Sequence, residues 1–180
     1  IHITEAVANS YLDGGKASHP NIFSWFNEDL IKRRGASMIS AGAGQNRQIA
    51  RLCFFHHYDR LRKLLEHKLT SLVGSASNAS ARLKGHGDNY VGVEEKSIMV
   101  YIVTSIAGGT GAGVFLDMGM LIKDILPKKF ANYNYNIVYY AVLPEPYLPF
   151  QKSEELVQKI KENSFAVLTE MEFFAYDNRD

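Results

Sequence analysis

The sequence predicts an α/β domain with a parallel sheet flanked by helices, and three features carry that prediction. A short run of β-branched and aromatic residues, Ile98 to Ser105, leads through a glycine cluster into helical spacing over Ala112 to Leu126. A second apolar strand, Ile137 to Leu143, is followed by helical spacing over Ser153 to Ala175. Strand, helix, strand, helix in that order favours parallel pairing, because a crossover helix must return the chain to the same end of the sheet. With 180 residues, 46% of them hydrophobic, the chain can bury one sizeable core, so residues 1–180 are expected to form part of one α/β domain.

Taken in order, residues 1–35 mix weak helical periodicity with the breakers Gly14, Gly15 and Pro20. From Gln48 to Val73 the positions Ile49, Leu52, Cys53, Leu61, Leu64, Leu65, Leu69 and Leu72 predict one long amphipathic helix. Arg51, Arg60, Arg62 and Lys63 take its wet side. Residues 74–97 are rich in Ser, Asn and Gly and read as a long mobile loop. The strand Ile98 to Ser105 is read as buried. Phe115, Met118, Leu121, Ile122 and Ile125 then form the apolar stripe of the next helix. Pro144, Pro146 and Pro149 stop the second strand. Leu156, Ile160, Phe165, Leu168 and Met171 give the last helix its stripe.

Charge and composition narrow the function. A formal net charge of +1 gives no electrostatic reason to expect nucleic-acid or membrane binding. No apolar run reaches the roughly 20 residues of a spanning helix, and no signal-peptide pattern opens the chain, so a cytoplasmic protein is expected. The single cysteine, Cys53, is flanked by Leu52, Phe54 and Phe55 and reads as a buried thiol. The chain opens at Ile1 without methionine, and a longer parent protein is expected.

The chemistry-bearing stretch is "SIAGGTGAGVF", Ser105 to Phe115. A helix N-terminus offers backbone N–H groups without intrahelical partners and the positive end of a dipole. Gly108, Gly109, Gly111 and Gly113 lack a Cβ, so the chain is free to take positive φ and let a phosphate approach. Thr110 adds a hydroxyl, and each charge-assisted N–H bond contributes about 1.5 to 3 kcal/mol. No Walker lysine follows, since Val114 and Phe115 come next, and Val114 stands where a dinucleotide fingerprint needs its third glycine. The alternative is a glycine turn that only packs the helix on its strand.

A second glycine loop, "SAGAGQNRQIAR", Ser40 to Arg51, also opens a helix. Two such N-termini in one sheet can grip one polyphosphate from two sides. Together the loops resemble the tubulin/FtsZ superfamily. "AGGTGAG", Ala107 to Gly113, resembles the family's GGGTGSG signature, and Ala107 and Ala112 complete that loop. "GAGQNR", with Gly42, Ala43, Gly44, Gln45, Asn46 and Arg47, resembles the GAGNNW of tubulins and the GAGANP of FtsZ proteins. "YYAVLPEPYLPF" resembles the strand and loop near the ribose, and "KENSFAVLTEM" resembles the EPYNATLSVHQL segment, which sets Asn163 where the family reads guanine. An amide offers guanine both a donor and an acceptor, although an asparagine near a helix start also serves as a cap; Asn46 carries the same two readings.

The resemblance implies a Rossmann-like nucleotide-binding domain that takes GTP or GDP with Mg2+. It also implies a protein that polymerises head to tail with copies of itself, a heterologous contact that builds filaments. The departures are Ala107 in place of the first signature glycine, and the absence of the family's first phosphate loop, its magnesium-placing acidic segment and its downstream catalytic loop. No catalytic residue is therefore assigned. Two alternatives stand beside the GTP-binding filament protein: a scaffold that keeps the fold without hydrolysis, and an α/β enzyme for another phosphorylated ligand. His56, His57 and His67 lack zinc-helix spacing, the acidic residues of the last helix read as a solvated face, and Tyr133, Tyr135, Tyr139 and Tyr140 fit strand packing.

Overall fold

The computed structural model describes residues 5–34, 43–84 and 96–177. Its helices are α1 (Glu5–Ser18), α2 (Pro20–Phe23), α3 (Asp29–Arg34), α4 (Arg47–His56), α5 (Tyr58–Lys84), α6 (Gly109–Lys129) and α7 (Glu154–Asp177). Strands β1 (Ser97–Ser105) and β2 (Asn134–Val142) pair in one two-stranded sheet. At the two ends of the pair, Asn134 N–H donates to Lys96 O and Ile106 N–H donates to Val142 O. Both strands therefore start at the same end, and the sheet is parallel, as the alternation of elements predicts.

Close contacts divide the chain into two compact units, one of residues 1–57, 103–117 and 140–180, the other of residues 58–102 and 118–139. In the first, Ala8 and Tyr11 of α1 pack with Phe23, Phe26 and the α4 residues Ile49, Leu52 and Cys53. Cys53 is a free, buried thiol. The spacing of Ala8, Tyr11 and Leu12 is the helical signal available in the opening stretch. Helical geometry is interrupted at Gly15, which turns the chain with φ 48° and ψ −153°. In the second unit Ile122, Leu126 and Phe130 form the core, covered by Leu65 and Leu69 of α5 and by Ile98, Val100 and Ile102 of β1.

The structure differs from the sequence reading in three places. The helix predicted over Gln48 to Val73 is two helices, separated at His57, whose φ of −98° and ψ of 11° leave helical geometry. The loop predicted over 74–97 begins later, because α5 continues to Lys84. Ala76, Ala79, Ala81 and Leu83 are strong helix formers, and their summed propensity outweighs Gly74 and the serines; residues 85–95 lie outside the described residues. Strand β1 is only half buried: Ile98, Val100 and Ile102 face the helical core, while Met99, Tyr101 and Val103 are exposed. The described helices pack one face of that strand, and period-two alternation decides which residues meet them.

Candidate functional site

The two glycine loops meet in the first unit, at the carboxyl end of β1, where ligands bind in parallel sheets. An open cavity of about 690 Å³ lies there, lined by Thr104 and Ser105, by Ala107 through Gly111, and by Ala43, Gly44 and Gln45. Tyr147, Gln151 and Ile160 close its remaining wall. Its size falls within the range of small-molecule sites. Helix α6 starts at Gly109, and its first ladder bond runs from Ala112 N–H to Gly108 O. The N–H groups of Gly109, Thr110 and Gly111 precede that bond and have no partner in the helix. Thr110 is exposed on this first turn.

The glycines do their work through close approach rather than through backbone conformation. Among the described residues, positive φ occurs only at Gly15, Gly44 and Gln45, so none of Gly108, Gly109, Gly111 and Gly113 takes it. A Cβ on Gly109 would stand 2.5 Å from Asn46 N; on Gly111, 2.0 Å from Ser105 O; on Gly113, 2.3 Å from Arg47 O. Hence the signature glycines seat α6 against β1 and against the second loop. The packing alternative raised by the sequence is realised at these three, and Gly108 remains open toward the cavity. Ala107 costs the loop nothing in conformation, because its φ is not positive; its N–H donates to Ser105 Oγ at 3.2 Å.

The second loop turns through Gly44 at φ 53° and Gln45 at φ 61°. A non-glycine residue in that region is uncommon and strained. The Gln45 Oε1 atom is buried with no hydrogen-bond partner. Asn46 ends the loop as the N-cap of α4, its Oδ1 accepting from Ile49 N–H at 3.1 Å. Of the two readings for Asn46, the structure realises the cap, and the residue does not line the cavity.

Asn163 lies on α7, 6% exposed. Its Nδ2 donates to Gln45 O at 3.1 Å and to Ala107 O at 3.4 Å, one carbonyl from each loop. Next to it, Ser164 Oγ shares its one hydroxyl proton between Ile106 O at 3.2 Å and Ile160 O at 3.0 Å. Ala112, Gly113 and Asn163 stand behind the cavity wall, while Ala43, Gly44, Gln45, Ala107, Gly108, Gly109, Thr110 and Gly111 line it. Gly42 lies outside the described residues. Sequence reasoning missed Thr104, Ser105, Gln151 and Ile160 as lining residues; the end of β1 was the available signal for the first two, while Gln151 follows the proline loop and Ile160 lies on α7.

Around the loops, Arg47 of α4 donates to Ala112 O at 3.3 Å and pairs with Glu170 of α7. Arg51 forks onto Asp117, with its guanidinium over the Trp25 and Phe55 rings. Farther from the loops, His56 Nδ1 lies 3.2 Å from Tyr11 Oη. Burial, then the adjacent His57, hold its imidazole below the ordinary histidine pKa, and burial followed by Cys53 pushes the Tyr11 phenol up.

A family model described as tubulin-like matches residues 2–180. The chain belongs to the tubulin-like family. No curated protein and no solved structure gives a significant match. In this tubulin-like chain the two motifs that carry the resemblance, far apart in sequence, are adjacent in space. Its α/β architecture with a parallel strand pair agrees with the family. Among the described residues, no helix is long and apolar enough to cross a membrane.

Proposed function

We propose that this tubulin-like chain binds a guanine nucleotide through its phosphates and belongs to a protein that polymerises head to tail, with GTP hydrolysis at subunit contacts. One observation carries the reading: Gly109, Thr110 and Gly111, whose N–H groups are unpaired within the helix, line one cavity together with Ala43, Gly44 and Gln45 of the second glycine loop. Such an arrangement gives an anion several convergent backbone donors and a favourable dipole end, with Thr110 and Ser105 hydroxyls alongside. Among the described residues no carboxylate lines the cavity, so these walls offer magnesium no direct charged ligand. Magnesium suits this site only as a companion of the phosphates, carrying its own waters.

The preference for guanine and the filament rest on the resemblance of the two motifs to the tubulin/FtsZ superfamily, and the backbone cradle supports the phosphate part of the reading. A scaffold that keeps the fold without hydrolysis is the second reading. Equilibrium binding of fluorescent GTP and ATP, with magnesium, tests the first. Tight GTP binding that ATP does not match, together with GTP-dependent sedimentation of assemblies, is the expected result. Absence of binding to either nucleotide overturns it and leaves the scaffold.

A further inference from the structure

Asn163 connects the two loops by its side chain. Its amide nitrogen has two N–H groups, and two carbonyls stand against it: Gln45 O at 3.1 Å and Ala107 O at 3.4 Å. The reverse amide orientation would set an oxygen against both carbonyls, so the network itself assigns the nitrogen. The side chain is 6% exposed and does not line the cavity. Ser164, 3% exposed, continues the contact by donating to Ile106 O. Two neighbouring residues of one helix thus hold three backbone carbonyls, two of them, Gln45 and Ala107, in residues that line the cavity.

We propose that Asn163 is a positioning residue for the phosphate loops, with base selectivity residing elsewhere. The C=O and N–H flanking one peptide bond point in opposite directions. Tying the Ala107 carbonyl to α7 therefore turns the Gly108 N–H to the other side of the chain. Tying the Gln45 carbonyl holds the residue that sits at φ 61°. A carbonyl released from Asn163 is free to rotate toward the cavity, where its negative end repels a phosphate. The brace orders both halves of the cradle at once, and it acts on every ligand that carries a polyphosphate.

The proposal rests on reading the cavity as a phosphate site, and two experiments separate the two claims. In the ligand-free protein, hydrogen exchange reports the brace directly. Both Asn163 side-chain amide protons exchange slowly in the unmodified chain, and Asn163→Ala or the isosteric Asn163→Asp raises exchange at residues 44–46 and 107–110 while leaving α1 protected. Fast exchange of the Asn163 amide in the unmodified protein overturns the brace without any variant having to fold. In the second experiment, GTP, ATP and inorganic tripolyphosphate are titrated against parent and Asn163→Ala. Loss of affinity by one common factor of about tenfold, the value of about one hydrogen bond, supports positioning. A loss confined to GTP, with tripolyphosphate unchanged, overturns it and makes Asn163 a base reader. If the parent binds none of the three, the phosphate-site reading has failed, and hydrogen exchange alone decides the brace.

Discussion

Gly109 and Asn46 meet backbone to backbone: a Cβ built on Gly109 would stand 2.5 Å from the Asn46 amide nitrogen and 2.8 Å from the Gln45 carbonyl carbon. Backbone atoms cannot rotate aside as a flexible side chain can, so Gly109→Ala must push the loops apart. Triphosphate affinity is expected to fall by at least about tenfold. Gly108→Ala meets only Gln45 Oε1, at 3.9 Å, and is expected to fold normally. Titration calorimetry with thermal melts compares the two; equal damage at both positions would refute the steric account.

The same logic applies in the second unit at Gly119, where a Cβ would stand 1.5 Å from Tyr139 Oη and 2.4 Å from its Cζ. Overpacking of this kind costs about 1 to 3 kcal/mol. Gly119→Ala is expected to lower the melting temperature, and to cost less when Tyr139→Leu has already removed the ring. A double-mutant cycle in denaturant measures that coupling, and simple additivity of the two changes contradicts the contact.

Arg51 binds Asp117 through two parallel bonds, Nε to Oδ2 at 2.7 Å and Nη2 to Oδ1 at 2.9 Å, with its guanidinium 4.8 Å from the Trp25 ring centroid. Lysine has a single ammonium nitrogen and cannot supply the two parallel donors of the fork or the planar stack. Arg51→Lys is expected to destabilise by about 1 kcal/mol after solvent screening. Trp25 is the chain's single tryptophan, so its emission should shift in the variant. Unchanged emission would show that the stack does not persist in solution.

His56 is expected to make stability pH-dependent in one direction. Partial desolvation of this exposed residue, then His57, disfavour the charged ring, so its folded-state pKa is expected to lie below the unfolded value of about 6.5. The neutral imidazole is thus the form the fold prefers, and its contribution is present above pH of about 6.5 and lost as pH falls through the folded pKa. Melting temperature should drop between about pH 7.5 and 5.5. In His56→Gln that drop should be smaller; an identical pH profile assigns the effect to other groups.

Asn46→Ala removes the N-cap of α4, whose Oδ1 accepts from Ile49 N–H. A loss of about 1 kcal/mol is expected. Asn46→Ser or Asn46→Asp should restore most of it, which denaturant melts resolve. A variant as stable as the parent would mean that the cap contributes nothing net.

Much of this fold was legible because its signals are local. The β-branched run of β1, the stripe from Phe115 to Ile125 on α6 and the prolines after β2 each act within a few residues of themselves. The break at His57 was not legible, because the apolar positions on either side of it continue one helical pattern across the junction. The extension of α5 to Lys84 was hidden by a composition rich in serine and asparagine.

By itself the sequence determined that the chain is α/β, that two glycine loops each open a helix, and that both resemble the phosphate loops of one family. Those properties follow from spacing and from the absence of side chains at particular positions. Only the tertiary structure decided how the glycines are used, since no local pattern reveals that Gly109, Gly111 and Gly113 face backbone while Gly108 faces open space. It also decided the surroundings of Asn163: the carbonyls that it bonds lie 118 and 56 residues away along the chain, and only folding brings such groups within hydrogen-bond reach.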